Sequence, residues 1–116
     1  MDNNITNLKH VADLKSLKKI LKNKKFSLVH GVFDVIHVGH KRHFDTANKL
    51  TGTLIVSITS DKFVKKGPGR PLFNEFLRSE MVSSLDSVSY VYINDKETPI
   101  ELIKELKPNF YCKGQD

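Results

Sequence analysis

The sequence lacks the features of disulfide-stapled secreted proteins and of membrane-spanning proteins. Its single cysteine, Cys112, cannot form an internal disulfide, which excludes a stapled secreted scaffold and favours a reducing compartment. No apolar run approaches the roughly 20 residues that a spanning helix needs, and the N-terminus has no basic stretch that leads into an apolar one. We therefore expect a cytoplasmic protein that does not enter a membrane.

The sequence also lacks the aromatic pattern of single-strand nucleic-acid binders, although its charge favours a polyanionic partner. Lys and Arg number 19 against 13 Asp and Glu, which gives a net charge of +6. Much of the excess lies in residues 9–25 and 62–70. Single-strand binders interleave aromatic with basic residues on a sheet face, whereas Tyr90 and Tyr92 flank a strand with a buried pattern. We expect no nucleic-acid partner.

The length and composition indicate one globular domain with an N-terminal addition. The 116 residues suffice for a single core, and 39% hydrophobic with 28% charged residues is an ordinary globular balance. In residues 11–21, apolar side chains recur at spacings of three and four, which predicts an amphipathic helix with lysines on its outer face. We therefore divide the chain into a helical extension, residues 1–25, and a main domain, residues 26–116.

The main domain alternates predicted strands and helices. Apolar strands are predicted at residues 26–33, 51–60, 88–94 and 109–113. Helices are predicted at residues 38–50 and 74–85 and from Thr98, with Asn74 as an N-cap and Pro99 in a first turn. The side chains predicted to face inward from the first two helices are Phe44, Ala47, Leu50, Phe76, Leu77, Met81, Val82 and Leu85. This α/β order implies a parallel sheet with helices on both faces and a ligand at the carboxyl ends of its strands.

The segment GVFDVIHVGH, residues 31–40, lies where the first main strand passes into the first main helix. Gly31 allows a close approach of the backbone to a ligand, and the helix start offers N–H groups and a positive dipole end to anions. His37 and His40 are three residues apart, so both rings can point to one side, with no side chain at Gly39 to obstruct them. Both imidazoles could then stabilise the charge that gathers during phosphoryl transfer.

Two other interpretations of the histidine pair are available. An arbitrary pair of histidines is more often a pair of ordinary surface or capping residues. The position of this pair at a strand–helix junction argues against that interpretation. A metal site fails on ligand count, since no nearby cysteine or carboxylate set completes a tetrahedron except Asp34 and His43 under strain. Gly31 and Gly39 do not fit the dinucleotide fingerprint either.

GVFDVIHVGH resembles the signature of the cytidylyltransferase-like nucleotidyltransferases, which carry a His-x-Gly-His motif on a Rossmann-like parallel sheet. The resemblance continues through ITSDKFVKKGPGRP, the helix of Arg78 and the closing KGQD, and so covers about residues 26–116. The segments GPGRP, ETPIELI and KPNFYCKGQD are most similar to the nucleotidyltransferase domain of bifunctional ADP-heptose synthases. Members normally continue with a Ser/Thr-rich helix start that closes over the phosphates, so we expect this domain to be truncated at its C-terminus.

The resemblance implies a role for each residue that matches the motif. It implies nucleotide binding by Gly31, Val32, Phe33, Gly39, Lys113, Gly114 and Asp116. It implies that His37, His40 and Lys66 hold the triphosphate and are catalytic, with Lys65 as the alternative to Lys66. The ordinary alternative for these lysines, and for the strand end at Lys113, is exposure to solvent.

The remaining residues are assigned to the second substrate or to the turn. Arg70 and Arg78 have the guanidinium fork that suits a phosphate or a carboxylate of the second substrate. Arg78 could equally form a structural pair with Glu75 or Glu80 on its own helix. Asp34 is assigned to organising the turn.

The function implied by the resemblance is transfer of a nucleoside monophosphate, with AMP favoured, from a nucleoside triphosphate to a sugar phosphate such as heptose 1-phosphate. Mg²⁺ is expected with the triphosphate, and no protein-bound metal. The alternatives are cytidylyl transfer to glycerol 3-phosphate or another polyol or amino-alcohol phosphate, and a nucleotide-binding module without turnover. The resemblance also allows a homodimer.

Overall fold

A computed structural model describes residues 9–65 and 67–113 as five strands, four α-helices and one short 3₁₀ turn. The elements in chain order are β1 (His10–Val11), α1 (Leu14–Leu21), β2 (Ser27–Gly31), α2 (Val38–Thr51), β3 (Leu54–Thr59), the 3₁₀ turn (Asp61–Phe63), α3 (Glu75–Ser83), β4 (Tyr90–Asn94), α4 (Ile100–Leu106) and β5 (Phe110–Lys113). In these two ranges no helix is long and apolar enough to cross a membrane.

The five strands form one parallel sheet in the order β1-β4-β3-β2-β5. The chain moves outward from β2 to β3 to β4, and then returns to place β5 on the other side of β2. The register aligns Gly31 with Ile58 and His30 with Lys113. The strand order therefore reverses at β2, so the carboxyl end of β2 is the topological switch point where such sheets bind ligands.

Helices cover both faces of the sheet, which confirms the predicted architecture. On one face, Phe44 and Ala47 of α2 and Val82 of α3 pack on buried strand residues such as Val56. On the other face, α1 and α4 contribute Leu17, Leu21, Leu102 and Leu106 to a second core. Each fully buried apolar side chain of this size stabilises the fold by roughly 1.5–3 kcal/mol. The first core fixes the positions of α2 and α3 around the end of β2.

The N-terminal segment contributes a two-residue strand, His10–Val11, to the sheet, whereas the sequence indicated a helical extension alone. The helix predicted over residues 11–21 begins only at Leu14, with Asp13 as its N-cap through a 2.7 Å bond from the Ser16 N–H to the Asp13 carboxylate. Val11 instead lies in β1 and pairs with Tyr92. An apolar residue at helical spacing can also be the buried residue of a short edge strand. Here Asp13, the N-cap of α1, separates the strand β1 from the helix.

The prediction for α3 is partly wrong, because three side chains that were expected on its inner face lie on its outer face. Phe76, Leu77 and Met81 were expected inside, yet their side chains are 62%, 47% and 38% exposed. The buried positions are Arg78, Ser79, Val82 and Ser83. Leu50 of α2 was likewise expected inside and is exposed. Arg78 takes the inner face of α3 because its guanidinium finds hydrogen-bond acceptors there.

Candidate active site

The segment 31–40 lies at the switch point, where β2 ends and α2 begins. The strand predicted to run to residue 33 stops at Gly31, because Phe33 adopts a left-handed backbone conformation with φ of 54°. This conformation costs a non-glycine residue of order 1–3 kcal/mol. It turns the Phe33 ring into the core, where the ring packs edge-on against Phe44 at 5.2 Å and against His40 at 5.5 Å between centroids. The turn therefore places an aromatic support behind one of the two motif histidines.

The two histidines are tied to the start of α2 by their own Nδ1 atoms. His37 is the N-cap of α2, and its Nδ1 accepts the N–H of Gly39 at 3.0 Å. His40 Nδ1 accepts the N–H of His37 at 3.1 Å, which completes a reciprocal capping arrangement. Each Nδ1 is thus an acceptor, so the proton of each neutral ring is assigned to Nε2. The two imidazoles lie 4.0 Å apart between centroids, and Nε2 is the atom of each neutral ring to which the proton is assigned.

This capping changes how the helix start can meet an anion. The sequence indicated free N–H groups at the first turn, but the Gly39 N–H is bonded to the His37 ring and the His40 N–H to the His37 carbonyl at 3.0 Å. The positive end of the α2 dipole remains, since it depends on the aligned peptides. An anion at this position would therefore meet imidazole N–H donors in front of a helix terminus.

Gly39 is required by the position of the His37 ring. A Cβ built on Gly39 would lie 2.7 Å from His37 Cε1 and 3.0 Å from His37 Nδ1. Carbon atoms cannot approach so closely, so a side chain at Gly39 would displace the imidazole. The sequence predicted that Gly39 leaves room for the histidines, and the structure shows that the His37 ring is the group that needs this room.

Asp34 organises the loop that precedes α3. Its carboxylate is buried and accepts the N–H groups of Leu72 at 2.8 Å and Phe73 at 3.0 Å, and it pairs with Arg70 Nη1 at 3.0 Å. Burial raises the pKa of the Asp34 carboxyl, but the two backbone bonds and the Arg70 guanidinium outweigh burial and hold the pKa below its ordinary value. Arg70, predicted to bind the second substrate, is therefore held beside the motif by Asp34 and is 40% exposed.

The buried side chain of Arg78 forms hydrogen bonds with four segments around the site. Its side chain is fully buried, and Nη1 donates to the Val32 carbonyl at 2.9 Å and the Thr59 carbonyl at 2.7 Å. Nε donates to the Phe73 carbonyl at 3.0 Å, and Nη2 donates to Asp61 Oδ1 at 2.6 Å. The structural pair is therefore with Asp61 rather than with Glu75 or Glu80. These contacts favour the structural interpretation of Arg78 over substrate binding.

The predicted lysines and the end of the last strand are only partly described. Lys65 is exposed and its ammonium pairs with Glu97 at 2.5 Å, while Lys62 pairs with Asp95 at 3.3 Å. Lys113 ends β5 and is exposed, in register with His30 of β2. The predictions for Lys66, Gly114 and Asp116 lie outside the described residues. The structure thus brings Lys113 to the edge where the motif lies, and it shows Lys65 bound to a carboxylate.

A third histidine at this edge has no role in the sequence-based prediction. His30 is half-buried, and its ring bridges Ser57 Oγ at 2.9 Å and Thr59 Oγ1 at 3.2 Å. The signal for this cluster is polar residues at alternate positions of otherwise apolar strands, because such positions share one face. His30, Ser57 and Thr59 form a polar layer beyond the apolar core on the α1 and α4 side.

The described residues do not form a magnesium site at the motif. Asp34 is the carboxylate nearest to it in sequence, and both of its oxygens accept N–H groups. Within residues 9–65 and 67–113 no group of three or more His, Cys, Asp or Glu side chains could hold a metal ion.

A cavity of about 740 Å³ lies away from the histidines, between α1, α4 and the end of β4. It is lined by residues that include Leu14, Tyr92, Asn94 and Leu102, with Lys18 and Glu105 among the charged residues. None of the predicted site residues lines it. The candidate site is defined by its donors at the switch point.

Comparisons with known proteins point to one family. A family model described as cytidylyltransferase-like matches residues 28–116. The bifunctional protein HldE of Campylobacter jejuni subsp. jejuni serotype O:2 is 44% identical over 96 residues, which is 81% of this chain and 21% of that protein. HldE of Aliarcobacter butzleri is 38% identical over 118 residues, 98% of this chain and 25% of that protein. The chain thus spans a fifth to a quarter of the length of these curated relatives.

A solved structure supports the same fold. The lipopolysaccharide core biosynthesis protein of Thermoplasma volcanium superposes with a TM-score of 0.69 at 25% sequence identity. The superposition covers 77% of this chain and 73% of that protein. The fold is therefore shared over about three quarters of each chain.

Proposed function

Since the chain belongs to the cytidylyltransferase-like family of nucleotidyltransferases, we propose that it transfers AMP from ATP to a sugar phosphate such as heptose 1-phosphate and releases pyrophosphate. The observation that carries this proposal is the pair of imidazoles, His37 and His40, fixed at the start of α2 with Nδ1 bonded to backbone. Two preorganised N–H donors at a positive helix end suit the charge of a triphosphate in the act of transfer.

The proposed reaction is an in-line displacement at phosphorus. A phosphate oxygen of the acceptor forms a bond to the α-phosphorus, and the bond from that phosphorus to the bridging oxygen breaks. The bonding electrons leave with pyrophosphate, so no oxidant, reductant or covalent enzyme intermediate is needed. His37 and His40 donate Nε2–H to the phosphate oxygens, Lys66 adds a positive charge, and the triphosphate enters as its magnesium complex.

The choice of AMP and of a heptose phosphate rests on similarity. The relatives that match most of this chain are HldE proteins described as bifunctional, and this chain covers only a fifth to a quarter of them. The segments GPGRP and KPNFYCKGQD support the heptose assignment by resemblance to ADP-heptose synthases. The description of the family model as cytidylyltransferase-like supports CTP as the second candidate donor, with glycerol 3-phosphate as the acceptor. A homodimer and a cytoplasmic location complete the proposal.

The test is pyrophosphate release with each of ATP, CTP, GTP and UTP against heptose 1-phosphate, glycerol 3-phosphate and phosphoethanolamine. We expect release with ATP and heptose 1-phosphate, and a loss of at least about a hundredfold in His40→Ala. His43→Ala is the matched control, because His43 lies on the same helix outside the motif and should keep the rate. Release with CTP and glycerol 3-phosphate would move the assignment to the second candidate. Tight nucleotide binding with no release from any pair would leave a binding module and refute the proposed transfer.

A further inference from the structure

The cavity of about 740 Å³ between α1, α4 and the end of β4 lies apart from the histidine motif. We call it the α1–α4 groove. Tyr92 and Asn94 of β4 line it, together with Leu14 of α1 and Leu102 of α4, and none of its lining residues belongs to the segment 31–40. Sites for small molecules usually enclose about 300–1,000 Å³. The groove therefore has the size of a ligand site of its own.

Asn94 is an almost completely buried residue whose amide oxygen faces the groove. The residue is only 3% exposed, and its Nδ2 donates to the Thr98 carbonyl at 3.0 Å. Its Oδ1 accepts no hydrogen bond from the part of the chain that the structure describes. The enclosed side-chain atoms without a partner in that part are His43 Nε2 and Ser87 Oγ, so Asn94 Oδ1 is open to the groove. An acceptor on so buried a side chain needs a donor from whatever fills the groove.

Tyr92 supplies a second polar group in the groove. It lies two residues before Asn94, on the same face of β4, and its hydroxyl forms no hydrogen bond with the described residues. Burial raises the pKa of Tyr92, and the carboxylates of Asp13 and Asp95 raise it further, so the hydroxyl keeps its proton at neutral pH. Asp95 and Glu101 also line the groove. This end of the groove thus combines one O–H donor with several acceptors.

The other end of the groove carries positive charge. Lys104 and Lys107 line it and form no ion pair with the residues that the structure describes, whereas Lys18 pairs with Glu105 at 3.0 Å. Six residues of chain separate Glu101 from Lys107, which corresponds to ~9 Å along a helix axis. Ammonium groups without a carboxylate partner suit a phosphate group. The groove is therefore polarised along α4, with acceptors at one end and cations at the other.

We propose that the α1–α4 groove is a second binding site, for a nucleoside monophosphate whose base is adenine or cytosine. In both bases an exocyclic amine stands next to a ring nitrogen that accepts a hydrogen bond. The amine donates to Asn94 Oδ1, and the ring nitrogen accepts the Tyr92 O–H. The base packs on Leu14 and Leu102, and the phosphate meets the two free ammonium groups. The site is separate from the motif and does not rest on the proposed transfer.

The groove is formed before a ligand arrives. The Thr98 carbonyl fixes the Asn94 amide so that its oxygen has one orientation. The Ser60 hydroxyl donates to Asp95 at 2.9 Å and holds the loop that follows β4. The ion pair between Lys18 and Glu105 joins α1 to α4. Because these groups are already held in place, binding loses little affinity to the ordering of side chains.

The first experiment is calorimetric titration of the full chain with two matched pairs of nucleotides, AMP with IMP and CMP with UMP. In IMP and UMP a carbonyl replaces the amine and the adjacent ring nitrogen carries a proton, so the pattern of donors and acceptors is reversed. We expect AMP or CMP to bind at least about tenfold more tightly than its partner. The comparison of AMP with CMP identifies the base. Equal affinities within both pairs, or no binding at all, overturn the inference.

Variants of the groove test which groups bind. Tyr92→Phe should raise the dissociation constant of the nucleotide about three- to tenfold and leave the free energy of unfolding unchanged, because its hydroxyl has no protein partner to lose. Tyr90→Phe is the matched control, since Tyr90 lies on the same face of β4 but does not line the groove. Lys104→Gln should weaken binding of AMP but not of adenosine, whereas Lys49→Gln on α2 should change neither. Unchanged affinity in both Tyr92→Phe and Lys104→Gln overturns the proposal.

The last experiment separates the groove from the motif. In His40→Ala, which removes a motif imidazole, binding in the groove should persist, and photolysis of bound 8-azido-AMP should label peptides of β4 or α4. Label confined to residues 31–40 of the wild type, or binding that is lost in His40→Ala and kept in Tyr92→Phe, assigns the nucleotide to the motif and overturns the proposal. Pyrophosphate release plays no part in these measurements, so failure here is distinct from failure of the proposed transfer.

Discussion

The imidazole of His37 lies directly against the backbone of Gly39. His37 Nδ1 accepts the Gly39 N–H at 3.0 Å, and the space that a Cβ on Gly39 would occupy is 2.7 Å from His37 Cε1. The middle glycine of the His-x-Gly-His motif therefore has two functions, since it gives the ring a hydrogen bond and leaves it room. His37 can hold its donor in place only while residue 39 has no side chain.

Gly39→Ala should reduce transfer with little change in stability. The added methyl displaces the His37 ring, so we expect a loss of rate on the order of a hundredfold, similar to the removal of one transition-state donor. Alanine is favoured over glycine within a helix by about 1 kcal/mol, which offsets the loss of the His37 cap, about 0.5–2 kcal/mol, so the free energy of unfolding should change little. Urea unfolding and pyrophosphate release measure the two quantities. In a double-mutant cycle with His37→Ala, additive losses would contradict this mechanism, because both changes remove the same donor.

Arg78→Met should destabilise the protein. The change leaves the Asp61 carboxylate, which is 41% exposed, and three backbone carbonyls without their guanidinium, and a buried acceptor left unsatisfied costs about 1–3 kcal/mol. Arg42→Met on the exposed side of α2 is the control and should change the free energy of unfolding little. A variant that unfolds like the wild type but has lost transfer would instead support contact between Arg78 and the second substrate.

Asp34→Asn should remove part of the acid dependence of stability. Because the pKa of Asp34 is below its ordinary value in the folded chain, its stabilising contribution is fully present above about pH 4, the pKa of an unfolded aspartate. The contribution is lost as the pH falls through the lower, folded pKa. At pH 7 the variant should be less stable by about 1–3 kcal/mol, as expected for a charged acceptor of buried hydrogen bonds. The difference between the free energies of unfolding of the two proteins should shrink as the pH falls below about 4; a difference independent of pH would refute the assignment.

Lys66→Ala should impair transfer more than Lys65→Ala. The ammonium of Lys65 already pairs with Glu97, whereas Lys66 is the lysine that the family resemblance assigns to the triphosphate. We expect Lys66→Ala to lower kcat by roughly a hundredfold. Because exposed pairs contribute about 0–1 kcal/mol, loss of the Lys65 pair should have little effect on stability. Steady-state kinetics with varied triphosphate decides between the two, and a larger loss in Lys65→Ala would reverse the assignment.

The sequence predicts the architecture well because its strongest signals are local and periodic. The four main strands and the start of α2 at Val38 follow from apolar runs and from the glycine at residue 31. β1 was not predicted, since two residues carry no periodicity and His10–Val11 becomes a strand only by pairing with β4. The prediction for the inner face of α3 was partly wrong for a related reason. A buried arginine replaces apolar residues there only because acceptors from distant segments meet at that point.

The sequence predicted which residues form the candidate site, but not the hydrogen bonds that hold them. The His-x-Gly-His spacing locates the donors at a helix start, and the structure places them there. The spacing does not reveal that both Nδ1 atoms are used by the backbone, because that depends on the rotamers at the N-cap. The partners of Asp34 lie 38 and 39 residues further along the chain, and Arg78 binds Val32 from 46 residues away. Such contacts depend on the loop geometry, which a single sequence does not specify.

Phe33 gives the site a spectroscopic signal of its own. Its ring lies nearly perpendicular to His40, at 84° and 5.5 Å between centroids. The ring current of the phenyl group therefore displaces the carbon-bound proton resonances of His40 from the values of an unstructured peptide. The chain has five histidines and no tryptophan, so these resonances fall in an uncrowded spectrum. Any movement of the His40 imidazole when nucleotide enters would change that displacement, so a proton spectrum can follow occupancy of the site without a label.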